Sequence, residues 1–185
     1  MALLTKPKNI VSIRFFTAFF AFALLLPIQS YADSHVPQKF SDYPTHIYTG
    51  DLVIPAYLKK DGEVWRDDMG KVVSPPVINT AGRFYMTPHS CGTSCRYYTL
   101  NDLSNGEESQ ALVRFSNDGA TPRKTKDGRD IVIDITTRPD SSLILVRYYI
   151  DRPDSPPECK ASYFALNSSG NSIRSVAQLL ECPEN

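Results

Sequence analysis

The side chains best placed to do chemistry lie close together, at His89, Cys91 and Cys95. An imidazole two residues from a thiol can act as base to a nucleophile, provided a third group orients the ring. The same residues could hold a metal, although zinc sites usually join two such clusters. The remaining chemistry is oxidation of the thiols to a disulfide. Cys159 and Cys182 bring the cysteines to four. Which chemistry applies depends on the compartment, and the start of the chain bears on that.

Lys6, Lys8 and Arg14 precede an uncharged run from Phe15 to Leu26. Pro27 ends the run, and Ser30-Tyr31-Ala32 places small residues at the two cleavage-determining positions. This is the three-part pattern of a secretory signal. The run of 12 residues is short of the roughly 20 that a spanning helix needs. We therefore expect a signal peptide over 1–32, an exported protein beginning near Asp33, and no stable membrane insertion after cleavage. The expected location is periplasmic or secreted, where disulfides persist. Four cysteines allow three pairings, and we read Cys91 with Cys95 and Cys159 with Cys182. On that reading Cys91 is not a free nucleophile, there is no metal site, and no cofactor is expected. Asp102, Asn105, Glu107 and Glu108 also gather acidic and amide oxygens, but their spacing fits no calcium loop. Asn167-Ser168-Ser169 is a glycosylation triplet that counts only in a eukaryotic secretory route.

Removal of 1–32 takes three of the 20 basic residues and none of the 20 acidic ones, leaving a net charge near −3 on 153 residues. A mildly acidic surface argues against nucleic acid as a partner, since phosphate neutralisation needs concentrated Lys and Arg. The length suits one domain with a real core.

The elements that must position these residues read as strands. Asp33 to His46, with two prolines and little periodicity, is expected to be an extended arm, and 47–185 a single β-rich domain. Ile47 to Pro55 alternates weakly and reads as a strand. Lys60-Asp61-Gly62 signals a tight hairpin turn. Arg83 to Thr87 is a strand with Phe84 and Met86 on one face and Tyr85 on the other. Arg96 to Asn101 returns, and Ser109 to Phe115 reads as a further strand. Ile131 to Ile135, Leu143 to Ile150, Cys159 to Leu166 and Ser172 to Val176 complete the set, with Val176 to Leu180 long enough for one helical turn. Asp134, inside an apolar strand, is expected to face solvent or pair with an arginine. Fourteen prolines fall mostly in the breaks between runs, as in an all-β domain.

An internal repeat supports the same class. Arg83-Phe84-Tyr85-Met86 matches Arg147-Tyr148-Tyr149-Ile150, Cys95 matches Cys159 and Gly106 matches Gly170, all at an offset of 64. Tyr97 to Asn101 matches Tyr163 to Asn167 at 66. The fold expected is all-β, with antiparallel meanders repeated every 64–66 residues and a small or incomplete propeller or a sandwich as the architecture.

From Gly82 to Asp102 the chain resembles exported bacterial proteins of uncharacterised function that carry a Cys-Gly-Thr-x-Cys motif. Gly82-Arg83-Phe84-Tyr85, Cys91-Gly92-Thr93-Ser94-Cys95 and Asp102 occupy the shared positions. Pro88 and His89 stand where such proteins often carry Trp. The resemblance implies an exported compartment and a disulfide.

Three functions of different class fit. The first is a periplasmic binding protein of the inhibitor or immunity type, blocking a protein partner such as a cell-wall hydrolase. Its contact surface would be the loop residues His89, Ser90, Thr93, Ser94 and Arg96, with Asn117 to Arg129 as the other candidate surface. A loop closed by a disulfide loses little entropy on binding. The second is an envelope assembly module that pairs through an exposed strand edge. The third is an enzyme, which would need a His–carboxylate–nucleophile cluster assembled in space. The reading carried forward is the first, a protein that is not an enzyme.

Overall fold

Ten strands, the longer of them where the β-branched and aromatic runs fall, sort into three antiparallel sheets among the described residues. The computed structural model describes residues 36–92, 95–118 and 123–183, all within one unit. The expected signal peptide, Thr93 and Ser94 lie outside the described residues. The first sheet joins β1 (Lys59–Asp61), β2 (Val64–Arg66) and β3 (Val72–Val73). The second joins β4 (Phe84–Gly92), β5 (Cys95–Asp102) and β6 (Glu108–Ser109). The third has the order β10-β9-β8-β7, from β7 (Ile131–Arg138), β8 (Ser141–Ile150), β9 (Glu158–Leu166) and β10 (Ile173–Leu179). The class is all-β and sandwich-like, as expected.

The β4–β5–β6 sheet is the middle layer. Alternation along β4 sends Phe84 and Met86 into the largest core cluster, with Tyr98, Leu100, Ile133, Val146 and Phe164. That cluster fills the space between the second and third sheets. Tyr85 points the other way and packs with Leu58, Leu103 and Trp65 beneath the first sheet. Tyr98 ties the two larger sheets together, its hydroxyl donating to the Ile133 carbonyl at 2.6 Å. Burial pushes that phenol up to about 12, so it stays a donor. The arm covers the far face of the third sheet, where Phe40 and Tyr43 pack on Leu143, Leu145 and Tyr163. Ser141 holds the arm there by donating to the carbonyls of Phe40 and Tyr43.

The meander recurs. Cys95 opens β5 and Cys159 lies at the start of β9, while Gly106 and Gly170 close the turns that follow. The first strands of the two copies run differently: Tyr85 pairs with Asn101 near the start of β4, whereas Tyr149 pairs with Cys159 near the end of β8.

Three local expectations are corrected. Ile47 to Pro55 forms no strand. It crosses the strand ends of the middle sheet on single bonds, Tyr48 N–H to Gly82 O at 2.7 Å and Val53 N–H to Leu103 O at 2.8 Å. Ser109 to Phe115 leaves the sheet after Ser109 and turns through a 3-10 segment at Val113–Phe115, which drops Phe115 into the core. Val176 to Leu180 makes no helical turn. The strand runs on through Leu179 because its register with β9 continues past a bulge between Ser175 and Ala177.

β4 runs past Pro88, where the sequence suggested a break. β4 is an edge strand, and proline is tolerated there because the missing N–H points away from the ladder. Asn79 covers the same edge. Its side-chain amide donates to Met86 O at 2.8 Å and its carbonyl oxygen accepts from Met86 N–H at 2.7 Å.

Gly170 is a position where only glycine fits. Its φ is +76°, and an added Cβ would lie 2.1 Å from Phe84 Cζ. Gly170→Ala is expected to cost roughly 2–3 kcal/mol, from left-handed backbone strain and displacement of a core ring. Urea denaturation checks this, and a cost below about 0.5 kcal/mol would mean that the turn relaxes freely.

Candidate functional site

On β4, residues Tyr85, Thr87 and His89 alternate onto one face, and they stand opposite Asn101, Thr99 and Tyr97 of β5. This face looks toward the first sheet and becomes polar as the hairpin rises. Its top is a connected chain of hydrogen bonds. Asp67, in the turn between β2 and β3, places Oδ2 2.8 Å from His89 Nδ1. His89 Nε2 lies 2.9 Å from Thr99 Oγ1. Thr99 Oγ1 lies 2.9 Å from the Tyr57 hydroxyl, which donates to Asn101 Oδ1 at 2.8 Å. Tyr97 stacks on the imidazole, with ring centroids 4.5 Å apart.

Asp67 is fixed before it meets His89. Its Oδ1 accepts the backbone N–H groups of Met69 at 3.0 Å and Lys71 at 2.8 Å, an Asx-type turn. Burial works against its charge, but the hydrogen bonds from His89 and Lys71 outweigh it and hold the carboxyl below the ordinary range. Tyr57 is half-buried, and that burial, opposed by its bond with Thr99, pushes its phenol up to about 12. It is a donor at neutral pH.

The order carboxylate, imidazole, hydroxyl is the order a nucleophilic hydroxyl requires. Access is another matter. The His89 and Asp67 side chains are 1% and 0% exposed, and Tyr97 covers a ring face. What the chain of groups does is join the β2–β3 turn to the β4–β5 hairpin through buried, mutually satisfied partners.

The disulfides are Cys91–Cys95 and Cys159–Cys182, as read from the sequence. The first closes the tip of the β4–β5 hairpin, with Cα atoms 5.1 Å apart. His89 does not belong to the exposed surface of that tip. It points inward, one alternation below Cys91, with both ring nitrogens engaged. Ser90, Cys91 and Gly92 are exposed. Arg96 is part-exposed, its guanidinium 3.6 Å from Asp134, the arginine partner expected for that carboxylate. Thr93 and Ser94 fall outside the described residues. Gly92 has φ +139° with nothing within 4 Å of a Cβ position, so backbone conformation rather than packing calls for glycine.

The segment after β6 comes back against the hairpin. Asn117 N–H donates to Arg96 O at 2.6 Å, and Asn117 Oδ1 accepts from Arg123 N–H at 2.6 Å. The second surface named from sequence, Asn117 to Arg129, thus begins beside the first. Asp102 is occupied by its own turn: Oδ2 accepts from Arg83 at 2.6 Å and Oδ1 from Ser104 N–H at 2.9 Å.

No family model, curated protein or solved structure matches this chain. Function therefore has to be argued from the site itself.

Sequence reasoning missed Asp67, Thr99 and Tyr57. One signal was available. Continuing the period of two from Tyr85 and Thr87 through Pro88 puts His89 on the inward face, where a buried imidazole needs partners. Asp67 lies 22 residues from His89, and nothing local marks it as that partner.

Proposed function

We propose that this chain is an exported binding protein of the inhibitor or immunity type, which blocks a partner protein in the periplasm with the tip of its β4–β5 hairpin. A cell-wall hydrolase is the candidate partner. One observation carries the reading. The tip is closed covalently by Cys91–Cys95, and directly below it the strand is fixed by the buried His89–Asp67 pair. A projection held at both levels is pre-organised, so little ordering entropy is lost when it enters a cleft. Two disulfides are in keeping with an oxidising compartment. Among the described residues no helix is long and apolar enough to cross a membrane.

The Asp67–His89–Thr99 chain of groups favours an enzyme instead, and its burial argues against that. The test sets the protein against a panel of purified peptidoglycan hydrolases in a turbidity assay. Wild type is expected to slow at least one of them. Thr93→Trp with Ser94→Trp is expected to weaken that inhibition by about tenfold or more, a loss of about 1.4 kcal/mol in binding, with an unchanged Tm. Inhibition untouched by the double substitution would move the surface to Asn117–Arg129. No inhibition of any hydrolase would remove the hydrolase reading.

A further inference from the structure

Asn105-Gly106 is the one step in the sequence at which asparagine is followed by glycine. Such a step is chemically weak. The main-chain nitrogen of the second residue can attack the carboxamide carbon of the first, and glycine has no side chain to shield that nitrogen. The step lies in the turn between β5 and β6, where Asn105 is exposed to water. Gly106 takes φ +80°, and an added Cβ would lie 2.7 Å from Val53 Cγ1. The turn thus requires glycine here, and the fold retains the reactive pair.

The same turn engages each reacting group in another bond. Gly106 N–H, the nucleophile, donates to Asp102 O at 2.7 Å. Asn105 Oδ1 accepts from Glu107 N–H at 2.9 Å, and Nδ2, the leaving group, donates to Glu107 Oε2 at 3.1 Å. Asp102 anchors the turn. It is buried, and its N–H donates to Glu107 O at 2.8 Å. Its Oδ2 accepts from Arg83 Nε at 2.6 Å and its Oδ1 from Ser104 N–H at 2.9 Å and from the Ser104 hydroxyl. Reaction requires Gly106 N–H to leave Asp102 O. That is a local opening, and its population sets the rate.

We propose that Asn105 is a self-modification site, gated by the Asp102 turn, at which the chain converts to aspartate and isoaspartate. The assignment is independent of the hairpin tip. In the opened turn Gly106 N, after giving its proton to water, attacks Asn105 Cγ. The new C–N bond closes a five-membered imide, and the Cγ–Nδ2 bond breaks as Nδ2 takes up a proton and leaves as ammonia. Water then opens the ring. Cleavage at Cγ gives aspartate, and cleavage at the Asn105 main-chain carbonyl gives isoaspartate. One water enters and one ammonia leaves, with no change of oxidation state.

Either product acts on β6. The bond from Nδ2 to Glu107 is lost, and a negative charge stands beside Glu107 and Glu108. Isoaspartate also adds a methylene to the main chain inside the ring that the Gly106–Asp102 bond closes. β6 pairs with β5 at Leu100–Ser109 and Asn101–Glu108, and Ser109 Oγ donates to Gly170 O. The modified turn therefore loosens a strand that ties the middle sheet to the β9–β10 turn.

The test incubates the disulfide-bonded protein at slightly alkaline pH, folded in buffer and unfolded in urea. Peptide mapping localises the one-dalton mass gain, and electron-transfer fragmentation separates isoaspartate from aspartate. In urea Asn105 is expected to be the first asparagine converted. In buffer its conversion should be at least about tenfold slower, the mark of a closed turn. Arg83→Gln, which takes the donor from Asp102 Oδ2, should speed conversion in buffer by about threefold or more and leave the rate in urea unchanged. Ser104→Ala, which removes the hydroxyl bond to Oδ1, should act in the same direction without touching the ion pair. Both variants are compared at a temperature where circular dichroism shows them folded. Equal rates in buffer and urea, a rate in buffer indifferent to both substitutions, or another asparagine converting first in urea would each overturn the proposal.

Discussion

Asp67→Ala is expected to lower the free energy of unfolding by about 2–4 kcal/mol, because it leaves several buried donors without an acceptor. The substitution leaves His89 Nδ1 without its acceptor in a site closed to water. It also releases the Met69 and Lys71 N–H groups from Oδ1. The single tryptophan, Trp65, is carried by β2 and packs against the cluster of Leu58, Tyr85 and Leu103, so its fluorescence reports the layer that Asp67 anchors. Urea denaturation of Asp67→Ala, His89→Ala and the double variant completes the test. The double should lose clearly less than the two singles added, since each removes the same interaction. A single-variant loss under about 1 kcal/mol would mean that the turn re-forms without the pair.

The same carboxylate sets an acid limit. Its folded-state pKa is depressed, so its contribution is complete above the ordinary carboxylate range and is lost as pH falls through the folded value. Wild type should therefore lose stability on acidification more steeply than Asp67→Asn, whose side chain does not titrate. Parallel acid profiles for the two proteins would refute this.

The other large effect is expected at the C-terminal bridge. Replacing Cys159 and Cys182 together with serine should cost about 3.4 kcal/mol by loop entropy, against about 2 kcal/mol for Cys91 and Cys95. The longer loop spans a separation of 23 residues, compared with 4 at the hairpin tip. Cys182 also packs with Val176 and Leu179 on the arm-covered face, so its release loosens the end of an edge strand. Equilibrium unfolding of the two double variants compares them directly, and the reverse order would show that native-state geometry outweighs chain entropy here.

The two cysteine pairs, the alternation of Phe84, Tyr85 and Met86, and the meander around Cys95 and Cys159 were legible in the sequence, because each depends on spacing within a strand or hairpin. The inward turn of His89 was not. The strand read from the sequence, Arg83 to Thr87, stops short of Pro88, whereas β4 continues through it, because the donor that proline lacks has no partner to lose at an edge. Edge or centre is a property of the sheet and cannot be read along β4 alone. Ile47 to Ile54 misled for the opposite reason. Its weak alternation reads as a strand, yet Ile47, Leu52, Val53 and Ile54 remain exposed and, among the described residues, no strand pairs with them.

The edge of β4 has a consequence for self-association. An uncovered strand edge is a template on which a second chain can add, residue by residue. Along β4 the outward-facing main chain is withdrawn from that role in sequence. Phe84 is bonded to Thr80 and Asn79, Met86 is capped by the Asn79 amide, and Pro88 has no hydrogen to offer. A strand from another molecule would have to displace a side chain at one step and forgo a bond at the next. The longest strand of the middle layer is thereby removed as a seed for polymerisation, and an envelope module that assembled by strand addition would have to recruit a different edge, such as β7 or β10.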